Sequence, residues 1–183
     1  SNIFSGSIHV SPSVNGFGQA YAAWRSGTLA GHLPITLRFP SRMDPRACPS
    51  GAAVMTATIA GVPVRPFDGS WTHEKREVLR QKVLAEIEQV LPGLAKHVRA
   101  CEVNVPSDIE LSLGYTDGDL WGGDIAADQM LGLRTWPEYP APRTPIEGLY
   151  LAGPSTTAGV LGTCASGVLA ARAVSIDISA RRK

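Results

Sequence analysis

The segment at residues 148–167 constrains the fold of this chain more than any other. It reads Gly-Leu-Tyr-Leu-Ala-Gly-Pro-Ser-Thr-Thr-Ala-Gly-Val-Leu-Gly-Thr-Cys-Ala-Ser-Gly and leads into an alanine-rich stretch. Residues 149–152 predict a short buried strand, the glycine-rich run a loop, and the alanine-rich stretch a helix. Such a loop lets the backbone approach a ligand closely, and amides at a helix start favour negative charge. An ordinary strand–turn–helix packing unit is the alternative.

Further motifs precede this segment in a fixed order. Asp-Leu-Trp-Gly-Gly-Asp begins at Asp119, Asp-Gln-Met at Asp128, Arg-Thr-Trp-Pro at Arg134 and Thr-Pro-Ile-Glu-Gly at Thr144. In order and spacing, these motifs resemble the carboxy-terminal portion of the phytoene-dehydrogenase-related FAD oxidoreductases, a group that includes phytoene desaturases and amine-oxidase-like enzymes. The resemblance implies an FAD-dependent dehydrogenase, desaturase or amine oxidase.

Upstream residues carry the same resemblance. Segments 33–41, 44–45 and 49–51 are similar to substrate-domain strands of that family. The resemblance therefore extends over most of the chain, and it is strongest after Gly114.

The implied fold class is α/β (α+β mixed), with a mixed sheet and helices followed by the strand–loop–helix of an FAD-binding domain. We expect residues 1–114 to form part of a substrate-binding domain, 115–147 a pocket-lining loop region, and 148–183 the strand–loop–helix. At 183 residues and 44% hydrophobic content, the chain is long enough to bury a core.

The resemblance implies one set of residues beside the isoalloxazine end of FAD. These residues are Gly153, Pro154, Ser155, Gly159, Val160, Leu161 and Gly162. Backbone amides at 160–162 would stabilise negative charge on the reduced flavin. Family members commonly carry a His-Pro-Gly-Gly-Gly run where this chain has residues 157–162, so a histidine at the flavin edge is absent. Thr156 and Thr157 offer only hydroxyls, and no catalytic residue is assigned.

A second set lies in the glycine-rich region 115–136. By resemblance, Trp121, Gln129 and Arg134 line the substrate pocket, and large side chains are costly to leave without packing partners in such a loop. The alternative is that Trp121 and Trp136 simply fill the core of the domain. The implied substrate is an apolar or amine small molecule.

The dinucleotide fingerprint G-x-G-x-x-G is missing. The nearest candidate, Gly-Phe-Gly-Gln-Ala-Tyr at residues 16–21, lacks the third glycine. We therefore expect a carboxy-terminal part of a longer enzyme, inactive in isolation, that binds FAD together with an amino-terminal half or a partner chain carrying the fingerprint. A non-catalytic binding module, or a subunit completed by a partner, is the alternative.

Composition and charge limit the classes of partner and the cellular compartment that suit this chain. With 17 basic and 16 acidic residues, the net charge of +1 gives no electrostatic case for nucleic acid. Cys48, Cys101 and Cys164 are odd in number and widely spaced, which favours a reducing compartment and no disulfide framework. The four histidines are scattered and predict no metal site. We expect a cytoplasmic protein, and homo-oligomers are compatible with the sequence.

Periodicity predicts the remaining elements. Strands are expected at 7–11, 35–39, 52–59 and 98–105, and helices at 13–26, 71–91 and from residue 106. The stripe of Phe17, Tyr21 and Trp24 is expected in the core. Charged side chains of the 71–91 helix, Glu86 included, are expected on its solvated face, and Cys164 is expected to pack as a small buried residue.

Overall fold

The computed structural model describes residues 2–11, 13–124, 126–129, 134, 138–139, 142–156 and 164–181. The chain divides into two compact units, Ser1–Ser112 and Leu113–Lys183. Helices and a small three-stranded sheet together confirm the predicted α/β mixed class.

The sheet of the first unit is antiparallel, with strand order β1-β2-β3. Its strands are β1 (Ile8–Val10), β2 (Ile35–Arg38) and β3 (Thr56–Ile59), so the predicted strands at 7–11 and 35–39 and the end of the one at 52–59 are confirmed. Ile35 and Leu37 of the central strand are buried on the same face, as the two-residue period of a strand requires.

Helix α1 (Val14–Arg25) confirms the predicted helix at 13–26, and the Ser13 Oγ accepts the Gly16 amide at 3.1 Å as its cap. The expectation that its aromatic stripe is core is wrong, because Phe17 and Tyr21 are 53% and 60% exposed. The helix instead buries Gly16 and Ala20. A β-carbon on Gly61 would lie 3.1 Å from the Ala20 carbonyl oxygen, so this close approach admits only small residues.

Helix α2 (Pro40–Met43) is a single turn, and helix α3 (His73–Val90) confirms the predicted helix at 71–91. The α3 residues Leu79, Val83 and Ile87 join the core that β2 lines, whereas Val90 at the helix end is exposed. Each such side chain stabilises the fold by about 1.5–3 kcal/mol relative to an exposed one.

Glu86 of α3 departs from its predicted solvated position, because it is buried. Its Oε1 lies 3.0 Å from the Nδ1 of His32, whose side chain is more than half exposed. A buried carboxylate needs a polar partner, and this partner comes from a residue 54 positions away. Helical periodicity alone carries no information about such a contact.

The strand predicted at 98–105 is wrong, since those residues form no strand in the structure. Val105 is the one residue of this segment that is buried, and it lies directly before helix α4 (Pro106–Leu113). Its amide donates to the Asp108 Oδ2 at 2.9 Å, and the Arg76 Nη2 donates to the Asp108 Oδ1 at 2.8 Å. Capping and an ion pair to α3 therefore fix this segment without a neighbouring strand.

The described part of the second unit is mostly irregular up to helix α5 (Ala165–Arg181), which confirms the predicted alanine-rich helix. The predicted strand at 149–152 is reduced to one bridge between Arg143 and Tyr150. Asp177 of α5 accepts from the Tyr150 hydroxyl at 2.7 Å and from the Arg143 Nη2 at 2.9 Å. These bonds tie the helix to the bridge. No helix among the described residues is long and apolar enough to cross a membrane.

Candidate functional site

A tight loop follows Asp119 in the second unit. Its carboxylate accepts two backbone amides, from Trp121 at 2.8 Å and from Gly123 at 2.5 Å. Aspartate side chains commonly hold turns in this way. Gly122 and Gly123 have φ values of +71° and +115°, a region that favours glycine. The sequence Asp-Leu-Trp-Gly-Gly therefore encodes a closed turn with the Trp121 side chain near its tip.

Arg134 holds the same loop from its carbonyl side. The residue is only 3% exposed. Its Nη1 donates to the Asp124 carbonyl at 2.8 Å, and its Nη2 lies within hydrogen-bonding distance of three more carbonyl oxygens, those of Trp121 (3.2 Å), Gly122 (3.0 Å) and Gly123 (3.3 Å). Bonds from the terminal nitrogens to carbonyl oxygens offset the cost of burying a guanidinium. The arginine thus stabilises the loop through its backbone.

A second turn precedes α5. Thr156 is buried, and both its amide and its hydroxyl donate to the Gly153 carbonyl, at 3.2 and 3.0 Å. The Gly153 amide donates to the Oγ of Ser166 in the first turn of α5 at 3.1 Å. Gly153 has a φ of +107°. These bonds fix the turn to the start of the helix.

The two turns meet at Gly122 and Ser155. A β-carbon at Gly122 would lie 2.5 Å from the Ser155 Oγ and 2.7 Å from its amide nitrogen. The structure therefore brings the loop of the predicted pocket residue Trp121 against Ser155, which was predicted to face the cofactor. Trp121 itself is 57% exposed, so it does not fill a core in this unit.

The structure also describes two other predicted site residues, Gln129 and Pro154. Gln129 is exposed in a 3₁₀ turn (Ala127–Gln129), and Pro154 is half-buried in the turn before Thr156. Four predicted cofactor residues and one tryptophan lie outside the described residues: Gly159, Val160, Leu161, Gly162 and Trp136. The roles of the site residues stay predictions.

Two residues that sequence reasoning did not select help to build this site, Asp119 and Ser166. An aspartate followed at the third and fourth positions by Gly-Gly is a turn signal that could have indicated Asp119. Ser166 carried no comparable signal, because its bond to Gly153 joins residues 13 apart. Each acts on the backbone of a predicted site residue.

Arg143 and Tyr150 bind Asp177, which lies near the end of helix α5. The Arg143 side chain and then the Tyr150 hydroxyl, through their hydrogen bonds, hold the pKa of Asp177 below its ordinary value. The same bond to Asp177 raises the pKa of the Tyr150 hydroxyl. Asp177 is therefore a stable anion at neutral pH, with a structural task at the helix.

Among the described residues, the cysteines form no disulfide and no side chains are grouped as a metal site. Cys48, Cys101 and Cys164 are free thiols. Cys164 is exposed, so its predicted burial is wrong; it precedes α5 with a φ of +58°. In the described part of the chain, no three His, Cys, Asp or Glu side chains are placed to hold a metal ion.

Comparison with known proteins finds relatives whose names describe an oxidoreductase domain. The chain is 30% identical over 163 residues to pyridine nucleotide-disulfide oxidoreductase domain-containing protein 2 of Rattus norvegicus and 29% identical to the protein of that name from Mus musculus. Each alignment covers 87% of the chain but only 28% of the relative. The chain therefore spans little more than a quarter of the length of the relatives that it matches. No protein-family model matches the chain.

Proposed function

We propose that this chain is the carboxy-terminal part of an FAD-dependent oxidoreductase of the dehydrogenase, desaturase or amine-oxidase type, related to the phytoene dehydrogenases. It would contribute the substrate pocket and the contacts on the isoalloxazine side of the cofactor. The observation that carries the proposal is the contact between Gly122 and Ser155, since it joins the predicted pocket loop to the predicted cofactor turn. Similarity to oxidoreductase relatives adds support.

The space beside Gly153 supports the proposal of a flavin at this turn. Among the described residues, a β-carbon on Gly153 would meet nothing within 4 Å, at a backbone position that favours glycine. The amides of Gly153 and Thr156 already donate within the chain. We therefore assign Gly153, Pro154 and Ser155 to van der Waals contact with the ring system, and hydrogen-bond donation to residues 160–162.

When bound, FAD would accept a hydride from the substrate. The chain's own residues would orient the substrate and exclude water. Trp121 and Leu120 present exposed apolar surface, which suits an apolar or amine substrate. The Thr156 hydroxyl is engaged with the Gly153 carbonyl, so we do not assign it an acid–base role.

Reconstitution tests this proposal. The chain alone should be colourless, because it lacks the G-x-G-x-x-G fingerprint. Co-expression with a dinucleotide-binding polypeptide that carries the fingerprint should give an assembly with flavin absorbance. A stoichiometric yellow chromophore in the isolated chain, or colourless assemblies in every combination that forms a stable complex, would contradict the proposal.

A second candidate function is an interaction module without redox chemistry. It is favoured by the exposed apolar stripe of α1, which comprises Val14, Phe17, Tyr21 and Trp24. Their spacing of three or four residues places them on one helix face, and the rings of Tyr21 and Trp24 are 5.7 Å apart. Exposed patches of this kind often mark protein contacts.

Sedimentation velocity distinguishes this candidate. A module that acts through α1 should self-associate with rising concentration, and Phe17→Ser with Tyr21→Ser should abolish the association. Flavin-free complexes with the fingerprint-bearing polypeptide would favour the module over the enzyme. Monomers at all concentrations, together with flavin-loaded complexes, would exclude it.

A further inference from the structure

We infer that Arg134 is a positioning residue that shapes the pocket loop through its backbone, and that the substrate group meeting this loop carries no negative charge. The inference deepens the proposed function and rests on it. It assigns to Arg134 a task other than binding a substrate anion, which is the obvious task for an arginine in a pocket region.

The Arg134 guanidinium is directed at the loop backbone. Arg134 is 3% exposed, and its two terminal nitrogens lie 2.8–3.3 Å from the carbonyl oxygens of the four consecutive residues 121–124. Backbone carbonyls in this number engage both terminal nitrogens in place of water. A substrate carboxylate would have to displace these bonds to pair with the two terminal nitrogens.

Asp119 holds the same loop through its amides. Its two carboxylate oxygens accept the amides of Trp121 and Gly123, while Arg134 holds the carbonyls of the same two residues. The loop backbone is therefore held between an anion on its amide side and a cation on its carbonyl side. Charge-assisted hydrogen bonds are about twice as strong as neutral ones, so this pair fixes where Trp121 is presented.

The sequence around Arg134 is acidic. Arg134 is the only basic residue from 115 to 142, and residues 115–133 contain four aspartates. The exposed large side chains of the loop are Leu120 and Trp121. The charges that this segment itself supplies, apart from Arg134, are all negative, so they favour a neutral apolar group or an amine over a negative substrate group.

Amide hydrogen exchange on the 183-residue chain tests the positioning role. In Arg134→Met, the amides of Trp121 and Gly123 should exchange faster by about tenfold or more, since bonds to a charged group are lost on the other side of the loop. Ala173 of α5 should keep its protection. Arg134→Lys, which keeps the charge and three donors, should give intermediate exchange. Unchanged exchange in Arg134→Met, or equal loss of protection at Ala173, would overturn the inference.

Titration with benzoate tests the substrate charge and needs no variant. Benzoate is an aromatic carboxylate that would suit an arginine beside Trp121. We expect no saturable shift of the Arg134 Nε–H or Trp121 amide resonance at millimolar benzoate. Saturable binding that Arg134→Lys weakens would overturn the inference.

These readouts require no flavin. Reconstitution can therefore fail, and refute the proposed function, while the exchange data still support Arg134 as the residue that positions the loop. The converse result, a flavin-loaded assembly with a benzoate site at Arg134, would overturn only the inference.

Discussion

Gly122 lies so close to Ser155 that a β-carbon at position 122 would stand 2.5 Å from the Ser155 Oγ and 3.0 Å from its Cα. Real β-carbons do not approach other atoms this closely, so one of the two turns would have to move. The contact makes position 122 a sensitive probe of the site, because both the pocket loop and the turn before α5 depend on it.

Gly122→Ala should destabilise the second unit more than Gly114→Ala does. Both glycines have a left-handed φ, +71° and +74°, but a β-carbon at Gly114 would meet nothing within 4 Å. The control should therefore cost only the backbone strain of about 1–2 kcal/mol, and Gly122→Ala about 1–3 kcal/mol more from overpacking. Urea unfolding, followed by a signal from the second unit, measures the loss of unfolding free energy in each variant. Equal losses in the two variants would argue against the contact between Gly122 and Ser155.

Phe17→Ala should change the unfolding free energy by less than about 0.5 kcal/mol, as exposed positions do. Leu37→Ala should cost about 2–5 kcal/mol, because Leu37 is fully buried in the central strand. The comparison checks the unexpected placement of the α1 stripe. A loss of several kcal/mol of unfolding free energy in Phe17→Ala would show that Phe17 packs in the core.

Local patterns predicted much of the fold. The helices α1, α3 and α5 and the strands β1 and β2 follow from periodicity and capping residues in their own segments. The errors arise where contacts distant in sequence decide the outcome. Residues 98–105 contain three valines yet form no strand, and Glu86 is buried with the distant His32 as its partner.

The site could be predicted only in part, because here too contacts between residues distant in sequence decide the arrangement. The resemblance indicated Trp121 and Ser155 separately, but their proximity through Gly122 is a tertiary contact. The carbonyl oxygens around Arg134 could not be predicted either, since an arginine in a pocket region gives no information on whether its partner is a ligand or the backbone. The aspartate turn at Asp119 was predictable from Asp-Leu-Trp-Gly-Gly.

Acid should destabilise the first unit, in part through Asp108. The hydrogen bond from Arg76 is the main cause that lowers the pKa of Asp108 below its ordinary value of 3.8. A lowered folded-state pKa contributes stability that is present above pH 3.8 and is lost as the pH falls through the folded value. The urea midpoint of the wild type should therefore fall more between pH 5 and pH 3 than that of Asp108→Asn. Equal falls would show that the pair contributes nothing.

Trp121→Ala should separate a pocket role from a structural one. Because Trp121 is 57% exposed, its truncation should leave the melting temperature and flavin content of a reconstituted assembly nearly unchanged. The substrate dependence of flavin reduction should change. A core tryptophan would cost about 3–5 kcal/mol instead, and normal reduction kinetics in a folded variant would remove Trp121 from the site.

The flavin content of two matched glycine variants in the reconstituted assembly tests the central claim most directly. Gly153→Ala and Gly148→Ala both place a β-carbon in open space at a positive φ, +107° and +80°, so both carry backbone strain. Only Gly153 is proposed to lie against the cofactor. We predict that Gly153→Ala loses most of its flavin while Gly148→Ala keeps it, with similar melting temperatures for the two flavin-free chains. Equal flavin content in the two variants would contradict the placement of this turn at the flavin.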